Sequence, residues 1–125
     1  MFAATSVGAQ DTRAGAIEGV IRGQIEALQA DDFGAAFEFA SPAIRRIFGD
    51  SDRFGTMVRE GFPMVWRPGS VTFLELRDVG GQKIQRVMIR DQSGTLHILQ
   101  YQMIQSGERW QINGVHLEEG AEIGA

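Results

Sequence analysis

From Ser70 to Glu118 the chain writes four strand-length runs, broken at Gly80-Gly81, Gln92-Ser93-Gly94 and Ser106-Gly107. Connections of two or three residues join strands that lie side by side and antiparallel, because a parallel crossover needs far more chain. The segment before Gly61 is instead written in helical periods. A meander of four strands must cover one face, and the preceding helices are the available cover. The expected fold is therefore α+β, with N-terminal helices packed on a curved antiparallel four-strand meander. At 125 residues the chain has room for one such core.

The helical half carries its own punctuation. Ile17, Val20, Ile21, Ile25 and Leu28 share one face of a helix expected from about Thr12 to Ala30. Asp31-Asp32 supplies a cap for a second helix, and Ser41-Pro42 places a capping Ser before a Pro at the first helical position. Gly49 stops that third helix, Ser51 is expected to cap a fourth, and Gly61 with Pro63 ends it. Met64 to Arg67 reads as extended.

Turn chemistry predicts the sheet register. A Gly80-Gly81 loop sets Leu76 opposite Gln85 and Leu74 opposite Val87. A three-residue loop with Gly94 left-handed sets Ile89 opposite His97 and Val87 opposite Leu99. A Ser106-Gly107 loop sets Met103 opposite Trp110 and Tyr101 opposite Ile112. These choices place Leu74, Leu76, Val87, Ile89, Leu99, Tyr101, Met103, Trp110 and Ile112 on one face, which is the face expected to meet the helices.

The other face carries Phe73, Met88 and Ile98 with Gln100, Glu75 and Arg86 around them. An apolar centre with a polar rim suits a subunit interface, so a homodimer through Phe73, Met88, Ile98 and Gln100 is expected. A net charge of −4 argues against nucleic acid as a partner, and no apolar run reaches the length of a membrane span. Val7-Gly8-Ala9 before Gln10 fits a small-x-small signal cleavage site. Residues 1–9 thus read as the remnant of a secretory signal or as a disordered tail, with 10–125 as one domain. The cleavage pattern favours export to the periplasm or medium over a cytoplasmic chain; N-terminal sequencing of native protein decides between them.

Two or three helices against the concave side of a four-strand meander resemble the cone-shaped, cystatin-like fold of ketosteroid isomerase and nuclear transport factor two. The closing strand GERWQINGV resembles that of many SnoaL-like members. More narrowly, the FASP block at Phe39 to Pro42 and the PMVWRP block at Pro63 to Pro68 resemble the uncharacterised family called domain of unknown function 4864. The resemblance covers about Ala14 to Leu117. It implies the fold and a frequent secretory signal, and it carries no assigned activity or catalytic residue.

Candidate chemistry is sparse. The expected inner face has no Asp or Glu in mid-strand; Tyr101 and His97 are its titratable groups. Phe37, Trp66, His97, Tyr101 and Trp110 are the candidates for lining a pocket with few polar groups. They would serve an apolar small-molecule binding site, with Tyr101 and His97 orienting the ligand. Burial could instead tune Tyr101 and His97 for isomerase- or hydratase-like catalysis, or the chain could be a structural dimerisation domain. The expected register also brings His97 opposite His116, with Glu118 two residues on, a donor set that iron or zinc accepts. Two ordinary histidines on adjacent strands account for the same pattern. No Gly-rich phosphate loop and no nucleophile elbow is present, so no cofactor is expected.

Overall fold

Ile17, Ile21, Ile25 and Leu28 form a buried stripe along a single long helix, α1 (Ala4–Gln29), as their three- and four-residue spacing requires. In the computed structural model the backbone is described for residues 4–118 and the side chains for residues 14–118. The helix thus begins before the expected Thr12. Of the segment read as a signal remnant or tail, residues 1–3 and the Val7-Gly8-Ala9 side chains lie outside the described residues. After α1 come α2 (Phe33–Glu38), α3 (Pro42–Phe48), α4 (Ser51–Gly61) and α5 (Pro63–Trp66). The strands follow as β1 (Pro68–Val79), β2 (Gln82–Asp91), β3 (Leu96–Ser106) and β4 (Arg109–Leu117). They form one antiparallel sheet in the order β1-β2-β3-β4. The molecule is α+β, and no described helix is long and apolar enough to cross a membrane.

Capping explains the helix boundaries. Asp32 accepts from Ala35 N at 3.1 Å and Ser41 from Ile44 N at 3.3 Å. The fourth helix is capped by Asp50 rather than Ser51: the Asp50 carboxylate accepts from Arg53 N at 2.9 Å. Met64 to Trp66, expected to be extended, are helical instead. Pro63 acts as the first residue of a new turn as well as a stop for the old one, its fixed φ suiting that position.

The PMVWRP block clamps the end of α1. Asp31, at φ 59°, swings the chain off the helix. Arg67 then donates to the Gln29 carbonyl at 3.2 Å and to both Asp31 oxygens at 3.2 Å, while Trp66 Nε1 donates to Asp31 at 2.8 Å. A guanidinium there satisfies a terminal carbonyl and opposes the negative end of the helix dipole.

In the sheet, Gly80 and Gly81 both take positive φ, 59° and 85°, and join β1 to β2 through the expected two-residue loop. The Gly94 loop likewise sets Ile89 opposite His97 and Val87 opposite Leu99. Two expectations fail. A bulge between Phe73 and Leu76 places Phe73, not Leu74, opposite Val87. Phe73 therefore packs on the core side with Val71 and Leu76, under the Arg22 guanidinium at 4.8 Å, and is no part of an outer interface. Buried Gln85 holds this bulge, donating to the Leu74 carbonyl at 3.0 Å and the Arg86 carbonyl at 2.9 Å.

The last hairpin turns at Gly107-Glu108 rather than Ser106-Gly107, so Met103 faces Ile112 and Trp110 faces Gln105. The displacement is two residues, which preserves the face. A second bulge at Asn113 then sets Tyr101 opposite Val115 and Gln100 opposite His116. On the outer face Arg86 lies between two carboxylates, Glu75 at 3.0 Å and Glu118 at 2.7 Å, and Gln100 donates to Glu118 at 2.8 Å.

Two outcomes follow from these contacts. Gln85→Leu removes the amide donor from the bulge carbonyls of Leu74 and Glu75 and from the Arg86 carbonyl, and should lower stability by about 1–3 kcal/mol in a denaturant melt. The Arg86 and Gln100 hydrogen bonds hold the Glu118 carboxyl down at about 2. Its contribution is complete above the ordinary carboxylate value of 4.5 and is lost as pH falls toward 2. Glu118→Gln should therefore flatten that part of the stability–pH curve; an unchanged slope would show that Glu118 is not the group titrating.

Candidate functional site

The FASP block builds one wall of a cavity by fastening the helices to an edge strand. Phe39 to Ser41 run alongside β4: Ile112 N donates to the Phe39 carbonyl at 2.9 Å, and Ser41 N donates to the Ile112 carbonyl at 2.8 Å. The parallel bridge joins Ala40 to Ile112. Buried Ser41 then works twice, as the cap of α3 and as a donor to Asn113 Oδ1 at 2.7 Å. Pro42 turns the chain immediately into α3, so α3 and α4 stand over β4 with space beneath them.

That space is a cavity of about 350 Å³, within the range of small-molecule sites. Its walls come from Leu28 of α1, Ile44 and Phe48 of α3, Phe54, Met57 and Val58 of α4, and Phe62 and Val65 around α5. The sheet supplies Tyr101, Ile112 and the edge of β4 from Asn113 to His116. Gln24 and Gln102 complete the polar lining. The amide of Gln24 is engaged already, donating to the Ala36 carbonyl at 3.1 Å.

Tyr101 is the chemical centre of this space. The residue is fully buried, and its hydroxyl has no hydrogen-bond partner among the described residues. Burial pushes its pKa well above the ordinary phenol value, so the hydroxyl is a neutral O–H. Leaving such a donor unpaired costs about 1–3 kcal/mol, and native proteins do so sparingly. Among the described residues the lining contains no Asp, Glu, Lys or Arg. It can solvate an apolar body and offer one deep hydrogen bond, and no carboxylate stands by to exchange a proton with the phenol.

Of the five residues expected to line a pocket, Tyr101 does. Phe37 packs behind the wall, its ring 5.4 Å from that of Phe54. Trp66 belongs to the α1 clamp, with Arg67 4.1 Å from its ring. Trp110 packs half-buried against the core opposite Gln105. His97 lies at the hairpin end of β3, where Nε2 meets Asp91 Oδ2 at 2.8 Å. The other Asp91 oxygen accepts from Ser93 N and Thr95 N, and these bonds with His97 hold its carboxyl well below the usual range.

The candidate metal set is dispersed. His97 pairs with Ile89 and His116 with Gln100, and Glu118 is engaged by Arg86 and Gln100. Among the described residues no group of three His, Cys, Asp or Glu could hold a metal ion. The bulge at Asn113 separates these residues, and the spacing of Ile112, Val115 and Leu117 was its sign: apolar residues skip one step at Asn113-Gly114. Phe48, Phe54, Met57 and Val58 were visible as apolar helix faces; what they faced was not.

No curated protein and no solved structure matches the chain. A family model described as Domain of unknown function (DUF4864) matches residues 10–124, a span that includes both the FASP and the PMVWRP blocks and every residue of the cavity. The chain belongs to that family.

Proposed function

We propose that this protein binds a small, largely apolar molecule in the cavity between its helices and the inner sheet face. The observation that carries this reading is the chamber with largely apolar walls, which has in its wall the buried Tyr101, whose hydroxyl is unpartnered among the described residues. Such a site holds its ligand by buried area, and the phenol orients it by donating to an acceptor atom. The seating of helices against one side of a meander supports placing the chain among the SnoaL-like, ketosteroid isomerase-like folds. Binding is favoured over isomerase- or hydratase-like catalysis because His97 stands with Asp91 outside the cavity and, among the described residues, no carboxylate lines it.

Tyr101→Phe should leave the melting temperature of the unliganded protein unchanged or raised, since it removes an unpaired buried hydroxyl. The same change should weaken an oxygen-bearing apolar ligand by about 0.5–1.5 kcal/mol, one neutral hydrogen bond. A screen of neutral apolar compounds by thermal shift supplies the ligand. Absence of any stabilising compound would sink the reading.

A second copy docking on the outer face is part of the same proposal. The Arg86 charge is matched within the chain by Glu75 and Glu118, which leaves Met88 and Ile98 as apolar centre beside Gln100. Phe73 is not available to it. Ile98→Glu would bury an unpaired carboxylate in such a contact, and should yield a folded monomer from a dimer by light scattering. A monomeric parent protein would end this part.

A further inference from the structure

The part of β4 beyond its bulge is an open backbone edge bordering the cavity. Ile112 turns both its backbone groups away from β3 and toward Phe39 and Ser41, at 2.9 and 2.8 Å. There the added strand stops, because Pro42 has no N–H and begins α3. Beyond the bulge the orientation is set by Glu118, whose N–H donates inward to the Ile98 carbonyl at 2.8 Å. Backbone groups alternate along an antiparallel strand, so Gly114 and His116 bond inward too, while Val115 and Leu117 point theirs outward. Among the described residues the bridge from Ala40 to Ile112 is the one pairing on this edge, and nothing meets Val115 or Leu117 there. Both side chains lie on the inner face, opposite Tyr101 and Leu99, and Leu117 is 38% exposed.

We infer that a short extended peptide adds to β4 along Gly114 to Leu117, continuing the line begun by Phe39 to Ser41, with an apolar side chain entering the cavity. Two features select this occupant. Outward donors and acceptors two residues apart, roughly 7 Å, match the repeat of an extended main chain. Residues of the added strand opposite Val115 and Leu117 project their side chains to the same face, where most of the cavity wall is apolar. Main-chain bonds then supply affinity and the cavity supplies selectivity. The inference rests on the cavity as an apolar binding site and assigns the bound group to a peptide.

The test uses ¹⁵N-labelled protein, Nile red as a cavity probe, and capped pentapeptides Thr-X-Thr-X-Thr in which X is Val, Leu, Ile or Phe. At least one peptide should shift the Val115 and Leu117 amide resonances and displace the dye. N-methylation of the peptide amides that face β4 should weaken it about ten-fold, and methylation of the intervening amides should not. Leu117→Pro deletes an outward N–H that β3 does not use, a position where an edge strand tolerates proline. It should lower peptide affinity about ten-fold while Nile red still binds. Dye binding without any peptide binding, or equal loss from both sets of methylated peptides, overturns the inference and leaves the cavity reading standing. Failure of dye and peptides alike overturns both.

Discussion

The pairing of Phe39, Ala40 and Ser41 with Ile112 is the contact on which the arrangement of this molecule depends. A four-strand meander folds from local turns and needs nothing distant to specify its order. The helices are another matter, since an apolar stripe will pack on an apolar sheet at many angles. Two backbone hydrogen bonds and the Ser41–Asn113 contact remove that freedom at the edge of β4. Because Ser41 is also the cap of α3, the position of the strand and the start of the helix are set by one side chain. The wall over β4 stands where it does for this reason.

At the other end Arg67 and Trp66 gather on Asp31 and the last turn of α1. These groups are largely exposed, and surface ion pairs contribute little on their own. Their geometry matters more than their energy: the clamp fixes where α1 ends relative to the start of β1. One tether lies at β4 and one at β1, and between them the α1 stripe packs onto the middle strands in a single core. The FASP and PMVWRP blocks, both within the span that the family model matches, are these two tethers. Both blocks also reach the cavity wall, through Ala40 and Val65.

Much of this was legible from the residues. Helix caps and stops follow from local hydrogen bonding, so Asp32, Ser41-Pro42, Gly49 and Gly61 marked boundaries that the structure keeps. Gly80-Gly81 and Gly94 fixed two hairpins because left-handed backbone leaves little choice. What escaped were the bulges between Phe73 and Leu76 and at Asn113, beside a further register shift between Pro68 and Ser70, none with turn chemistry to announce it. The first turned Phe73 inward in place of Leu74, and the second parted His97 from His116. The site was less legible than the fold. Tyr101 was identifiable because its own strand is regular on either side. Phe37, Trp66 and Trp110 are large and apolar, which makes them good packing residues and poor indicators of an opening. Whether an aromatic fills space or borders it depends on how two tethers hold distant elements, and that information is spread over the whole chain.

The bulges fall in β1 and β4, the two edge strands, while the pairing of β2 with β3 is unbroken. Open sheet edges invite copies of a chain to stack into fibrils, and an irregular edge resists this because long strands lose register across it. Here β4 offers a partner the run from Gly114 to Leu117 before the strand ends, and its edge is interrupted at Ile112, which is already paired with Phe39 to Ser41. On β1 the break between Phe73 and Leu76 divides the edge in the same way. Growth by endless edge-to-edge addition is therefore interrupted on both sides of the sheet, even though its backbone edges are not sealed.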